Sequence, residues 1–177
     1  MEIALREIDP SNVGHVNQVD GTFLVDAVLQ IHAEDGEITY TSLRVPEYRK
    51  RYGVDEVDYT TYIGHADKIV FLAYVDEQIA GQIILRKNWN RYAYIEDIAV
   101  DVRCRQLGIG RKLIAAAIEW AKARELPGIM LETQNNNLAA CRFYESCGFH
   151  LGGFDHDLYR GIDPATNEIA LYWYLVF

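Results

Sequence analysis

Between residues 68 and 100 the chain carries three runs rich in apolar, β-branched and aromatic residues, at 68–75, 78–89 and 92–100, joined by Asp76-Glu77 and Asn90-Arg91. Each run has strand length, and each junction is a polar pair suited to a turn. Strands joined this tightly run antiparallel, because a parallel return needs a crossover of a dozen residues or more. The spacing predicts a meander, and the chain after it supplies helices. Residues 108–124 place Leu113, Ile114, Ala117, Ile118 and Ala121 at a 3.6-residue period, and Pro127-Gly128 ends that helix. A short buried strand at 128–133 and a second helix at 137–147 follow, with Gly148 suited to a left-handed cap. Residues 149–159 and 168–177 supply closing strands. An antiparallel meander followed by a strand–helix–strand–helix stretch predicts an α/β fold, a mixed central sheet flanked by helices.

The first third is less marked. Residues 3–8 read as a strand and Asp9-Pro10-Ser11-Asn12 as a turn or helix cap. From 23 to 52 the pattern is weak and allows an irregular hairpin around Asp35-Gly36, ended by Pro46, and 54–64 reads as a short helix. With 177 residues, half of them hydrophobic, 1–177 is expected to be a single domain with a real core.

Lys and Arg number 17 and Asp and Glu 26, a net charge of −9. That balance argues against a nucleic-acid binder, whose footprint is basic, and suits either simple solubility or a cationic substrate. No apolar run is long enough for a membrane span, and no signal sequence opens the chain, so the expected compartment is the cytoplasm. Cys104, Cys141 and Cys147 lack metal-ligand spacing, and no metal is expected. A homodimer is left open.

The stretch Arg103–Leu113, RCRQLGIGRKL, joins the third strand to the helix. Glycines here expose backbone N–H groups at a helix N-terminus, an arrangement suited to a phosphate or pyrophosphate. A dinucleotide fingerprint would need glycine where Leu113 stands, and a Walker loop would need Ser or Thr after Lys112. What fits is [RQ]-x-x-G-x-[GA], from Arg105 to Gly110. Further on, Asn137, Ala140 and Tyr144 stand at i, i+3 and i+7 on a helix, one face in projection.

Together these motifs resemble the GNAT superfamily of acetyl-CoA-dependent N-acetyltransferases. The family pattern V-x-x-x-x-R-x-x-G-x-G runs from Val100 to Gly110, and N-x-x-A-x-x-x-Y-x-x-x-G-F from Asn137 to Phe149. Val102 stands where the family often has proline. The resemblance implies that Arg105, Gln106, Leu107, Gly108, Ile109, Gly110 and Arg111 receive the pyrophosphate of acetyl-CoA, with Asn137 and Ala140 also at the cofactor. It implies that Ile98, Ala99 and Val100 hold the thioester and pantetheine arm near a strand bulge. Tyr144 becomes the acid that protonates the leaving thiolate. The general base stays open: Glu132 and Glu96 are favoured over Asp97, and strand alternation sends Glu96 and Asp97 to opposite faces unless a bulge intervenes.

The stretches LETQNNNLAACRFYESCGFHLGGFD, NEIALYWYL and PEYRKRY further resemble streptothricin acetyltransferases, which modify an amino group on the β-lysine arm of those antibiotics. That resemblance implies a small polycationic amine as second substrate, for which Asp155, Asp157, Trp89 and Trp173 are candidate contacts. A protein-lysine or polyamine acetyltransferase, and a non-catalytic acetyl-CoA-binding module, are the alternatives.

Overall fold

The computed structural model describes residues 2–177. The elements in chain order are β1 (Ile3–Glu7), β2 (Phe23–Glu34), β3 (Glu37–Lys50), β4 (Lys68–Val75), β5 (Gln78–Lys87), β6 (Ala93–Val100), α1 (Ile109–Lys122), β7 (Gly128–Gln134), α2 (Leu138–Ser146), β8 (His150–Asp155) and β9 (Ala170–Val176). The backbone groups into two compact units, one of residues up to 22 with 51–129 and 177, the other of 23–50 with 130–176. Among the described residues no helix is long and apolar enough to cross a membrane.

The first unit contains the expected meander, β4-β5-β6, and β1 extends it antiparallel at the β4 edge. Val70, Leu72, Tyr74 and Ile84 fill one face of it with Ile8 and Tyr62. The other face receives α1, whose Ile109, Leu113, Ile114, Ala117, Trp120 and Ala121 are buried. Each large apolar side chain so buried contributes about 1.5–3 kcal/mol. Gly81 lets α1 come close: a Cβ there would lie 3.0 Å from Ile109 Cγ2 and 3.1 Å from the Ala99 carbonyl oxygen. The helix expected over 54–64 is instead one 3-10 turn, Tyr59–Tyr62. The Asp58 carboxylate accepts from Thr60 N at 3.0 Å and Thr60 Oγ1 at 2.6 Å, a local bond that favours a turn over a longer helix.

In the second unit β8 pairs with β9 antiparallel, and β9 also neighbours β7. The hairpin of β2 and β3 is longer and more regular than expected. Asp35-Gly36 turns it, but Pro46 does not end it. The register steps from Val25↔Tyr48 to Ala27↔Arg44, so Pro46 sits in a bulge, where a missing N–H breaks no ladder bond. One signal for this hairpin was available: Phe23, Val25, Ala27 and Leu29 alternate, and all four are buried.

Candidate active site

In the first unit the glycine turn is built on a buried acid. Asp101, 2% exposed, accepts from Arg103 Nε at 2.8 Å, Nη2 at 3.1 Å and N at 3.0 Å, and from Asp20 N at 3.2 Å. The Arg103 guanidinium leads these contacts and holds the Asp101 carboxyl well below the usual carboxylate range. Arg103 is therefore committed to shaping the turn. Arg105 donates to the Thr22 carbonyl oxygen at 2.6 Å. Gln106 and Gly108 have φ of +63° and +82°, and positive φ at a non-glycine residue marks a turn held in place by its surroundings. Gly108 is the N-cap of α1 and lends no side chain to the first-turn amides.

Among the described residues other than its chain neighbours, nothing lies within 4 Å of a Cβ built on Gly108, so the turn is open at that point. Open space, donor amides and a helix dipole together fit a pyrophosphate. Gly108→Val places a β-branched residue at positive φ and fills that space. Acetyl-CoA affinity is expected to fall at least tenfold, with roughly 1–2 kcal/mol lost from stability. Calorimetry measures the first and thermal melting the second, and unaltered affinity would refute the assignment.

The strand leading into the turn carries the expected bulge, two residues upstream of Ile98. Ile84 pairs with Asp97 but Leu85 with Ile95, so Glu96 is the extra residue. Its Oε2 accepts from Tyr62 O–H at 2.6 Å and its Oε1 from Arg86 Nε at 2.9 Å. Burial, then the Glu96 bond, raise the Tyr62 phenol above its usual range, so it acts as donor. Asp97 accepts at Oδ2 from Gln82 Nε2 at 2.6 Å. Ile98, Ala99 and Val100 follow, partly buried and paired with Ile83, Gln82 and Gly81. Trp89 stands on the β5–β6 turn, 90% exposed.

In the second unit the run Gln134-Asn135-Asn136-Asn137 ends β7 and opens α2, and its asparagines have three jobs. Asn135 is bonded to the hairpin twice: its carbonyl oxygen accepts from Leu29 N at 2.8 Å, and its Nδ2 donates to Leu29 O at 3.1 Å. Its Oδ1 accepts from Ile169 N at 3.0 Å. Asn136 Nδ2 donates to Glu168 at 3.0 Å, and Glu168 also receives Lys50 Nζ. Asn137 is the N-cap of α2 and accepts from Ala140 N at 3.2 Å, so these two residues of the motif are bonded to each other.

Tyr144 lies beyond them, 6% exposed. Ring centroids of Phe143, Phe149 and Trp173 stand 5.6, 5.9 and 6.3 Å from its own. The tyrosine is thus a packed residue as well as a motif residue. Trp173 corrects an expectation. It has no exposed surface, so it offers nothing for a substrate to touch and belongs to the packing behind Tyr144.

The other acids of this unit gather around two phenols. Glu132 accepts from Tyr159 O–H. Burial raises the Tyr172 phenol, and the charges of Glu132 and Asp155 push it the same way. Asp155 Oδ1 accepts from the Asp157 and Leu158 amides at 2.7 and 3.1 Å, while Asp157 pairs with Arg160 at 3.1 Å on the surface. Tyr159 was missed in the sequence because nothing local marks a loop tyrosine as a carboxylate's partner.

The profile of the acetyltransferase (GNAT) family matches residues 25–149. The chain belongs to the GNAT family. It is an acetyl-CoA-dependent N-acetyltransferase. Streptothricin acetyltransferase A of Bacillus subtilis (strain 168) is 41% identical to this GNAT enzyme over 167 residues, 94% of this chain and 95% of the relative. The streptothricin acetyltransferase of Escherichia coli is 36% identical over 165 residues, 93% and 91% of the two chains. A protein of Bacillus anthracis str. Ames, provisionally named a streptothricin acetyltransferase and solved with acetyl coenzyme A, superposes with a TM-score of 0.94 at 47% identity, over 99% of this chain and all of that one. The expected α/β class, the mixed GNAT sheet flanked by helices, is the fold they share.

Proposed function

We propose that this GNAT enzyme acetylates an amino group on the β-lysine arm of streptothricin in the cytoplasm, as an antibiotic-detoxifying activity. The end-to-end likeness to proteins named streptothricin acetyltransferases carries the reading, since it spans 94% of the chain rather than the cofactor motifs alone. The acids add support: Glu132 and Asp155 share one neighbourhood, in a chain of net charge −9. A polycation is drawn to such a surface.

In the proposed reaction the amine nitrogen attacks the thioester carbonyl directly. The turn from Arg105 to Arg111 takes the pyrophosphate, with Asn137 and Ala140 at the cofactor. Backbone donors of Ile98, Ala99 and Val100 stabilise the oxyanion, an effect of about 2.7–4 kcal/mol per donor in comparable sites. Tyr144 gives its proton to the departing thiolate. Glu132 is the second unit's candidate for the proton leaving the amine. Asp155, Asp157 and the exposed ring of Trp89 are the candidate contacts for the polycation.

Steady-state kinetics with streptothricin, free lysine, spermidine and a lysine peptide, at saturating acetyl-CoA, test the substrate. Streptothricin should have the highest kcat/KM. Raising salt from 0.1 to 1 M shortens the Debye length from about 10 to about 3 Å, so that kcat/KM should fall. A higher kcat/KM for spermidine or the peptide would move the enzyme to the polyamine or protein class.

A further inference from the structure

We infer that Asp97, and not its neighbour Glu96, is the carboxylate that β6 presents to the attacking amine, held for that task by the buried side chain of Gln82. The inference deepens the acetyltransferase reading and does not depend on which amine is the substrate.

The two neighbours differ in what already holds them. Glu96 has Tyr62 on one oxygen and Arg86 on the other, so its charge is balanced within the fold. Both Glu96 oxygens are therefore already engaged by protein donors. Asp97 has a single hydrogen bond, from Gln82 to Oδ2, and Oδ1 has no protein partner among the described residues. Its holder is itself fixed. Gln82 is 2% exposed; its Oε1 accepts from Asn17 N at 2.7 Å, and its Nε2 also donates to Asn17 Oδ1 at 2.9 Å. Asn17 stands at φ +66°, where the loop before β2 turns its amide onto the glutamine.

The bulge completes the arrangement. By inserting Glu96 it releases the two acids from simple alternation, so Glu96 reaches Tyr62 and Arg86 while Asp97 reaches Gln82. Asp97 then lies one residue before Ile98, where the strand is proposed to hold the thioester. The groups around Asp97 are Gln82 from β5, Asn17 from the loop, and Tyr59 from the 3-10 turn, whose phenol feels the charges of Asp97 and Glu96. Gln82, Asn17 and Tyr59 carry no positive charge, so no cation offsets Asp97 among these groups. Burial pushes the Asp97 carboxyl above its usual range, and the Gln82 bond opposes that. A carboxylate held at raised affinity for a proton is suited to take one from an ammonium.

In the step, Asp97 Oδ1 takes one proton from R–NH3+, leaving R–NH2 and a neutral carboxyl. The nitrogen lone pair forms the C–N bond at the thioester carbon. The C–S bond then breaks, the thiolate takes the Tyr144 phenol proton, the nitrogen gives its second proton to water, Tyr144 regains one from water, and Asp97 returns its own to water. The balance is R–NH3+ plus acetyl-CoA giving the amide, CoA–SH and one H+.

Asp97→Asn keeps an acceptor for Gln82 and removes the charge. With streptothricin, or with whichever amine the wild type turns over best, kcat/KM for the amine should fall about 10²-fold while acetyl-CoA affinity by calorimetry stays within twofold. The melting temperature should equal or exceed that of the wild type, since a buried charge is lost; a purely structural Asp97 would lower it. The wild-type acid limb of kcat/KM attributed to Asp97 should vanish in Asp97→Asn, and Gln82→Leu should shift it to higher pH. Turnover within twofold of the wild type in Asp97→Asn, or an acid limb that survives there and disappears in Glu132→Gln, overturns the inference. Failure of streptothricin as substrate would leave it testable on another amine.

Discussion

Tyr144→Phe should lower turnover by about 10²–10⁴ with little change in acetyl-CoA affinity or melting temperature. The ring is set among Phe143, Phe149 and Trp173, and phenylalanine keeps all of those contacts. Only the hydroxyl is removed. A loss confined to kcat would assign it to the chemical step, because an interaction made only in the transition state lowers kcat and kcat/KM together. Single-turnover measurements locate the effect, and a chemical step unchanged in rate would exclude Tyr144 as the acid.

Trp173→Ala should destabilise the fold by about 3–5 kcal/mol, the usual cost of truncating a fully buried large aromatic side chain. Trp173 has no exposed surface and packs against Tyr144 and Tyr40, each with ring centroids 6.3 Å away. The melting temperature should drop by roughly 6–20 °C. Its Nε1 is buried without a hydrogen-bond partner among the described residues, so Trp173→Phe loses volume but no bond and should be milder. Turnover in Trp173→Ala should also fall, because Tyr144 loses one wall of its socket. Stability within 1 kcal/mol of the wild type would place Trp173 outside the core.

The parts of this fold that were legible in the sequence rest on local physics. The meander, the glycine turn and both helices are written as alternation, turn pairs and 3.6-residue periodicity within windows of a dozen residues. The hairpin of β2 and β3 was half hidden because β3 is largely exposed and carries no apolar stripe, and Pro46 looked like a stop until the bulge around it was seen. Trp173 was misplaced because an aromatic residue reads alike whether its ring meets solvent or Tyr144. The relative standing of Glu96 and Asp97 could not be read locally either, since it depends on Tyr62, Arg86 and Gln82, 34, 10 and 15 residues away.

The asparagine run shows how little a repeated letter says about mutational tolerance. Replacing an amide by a carboxylate is usually scored as mild, yet the same exchange differs at three successive positions. At Asn137 it keeps the acceptor that caps α2, and aspartate is as good a cap as asparagine. At Asn136 it sets a second negative charge beside Glu168, with Lys50 left to serve both. At Asn135 it deletes the donor to Leu29 and turns a carboxylate oxygen on the carbonyl of the hairpin it had held. Natural variation at these sites is therefore expected to be graded, freest at the helix and narrowest at the hairpin, although the sequence presents the three as equals.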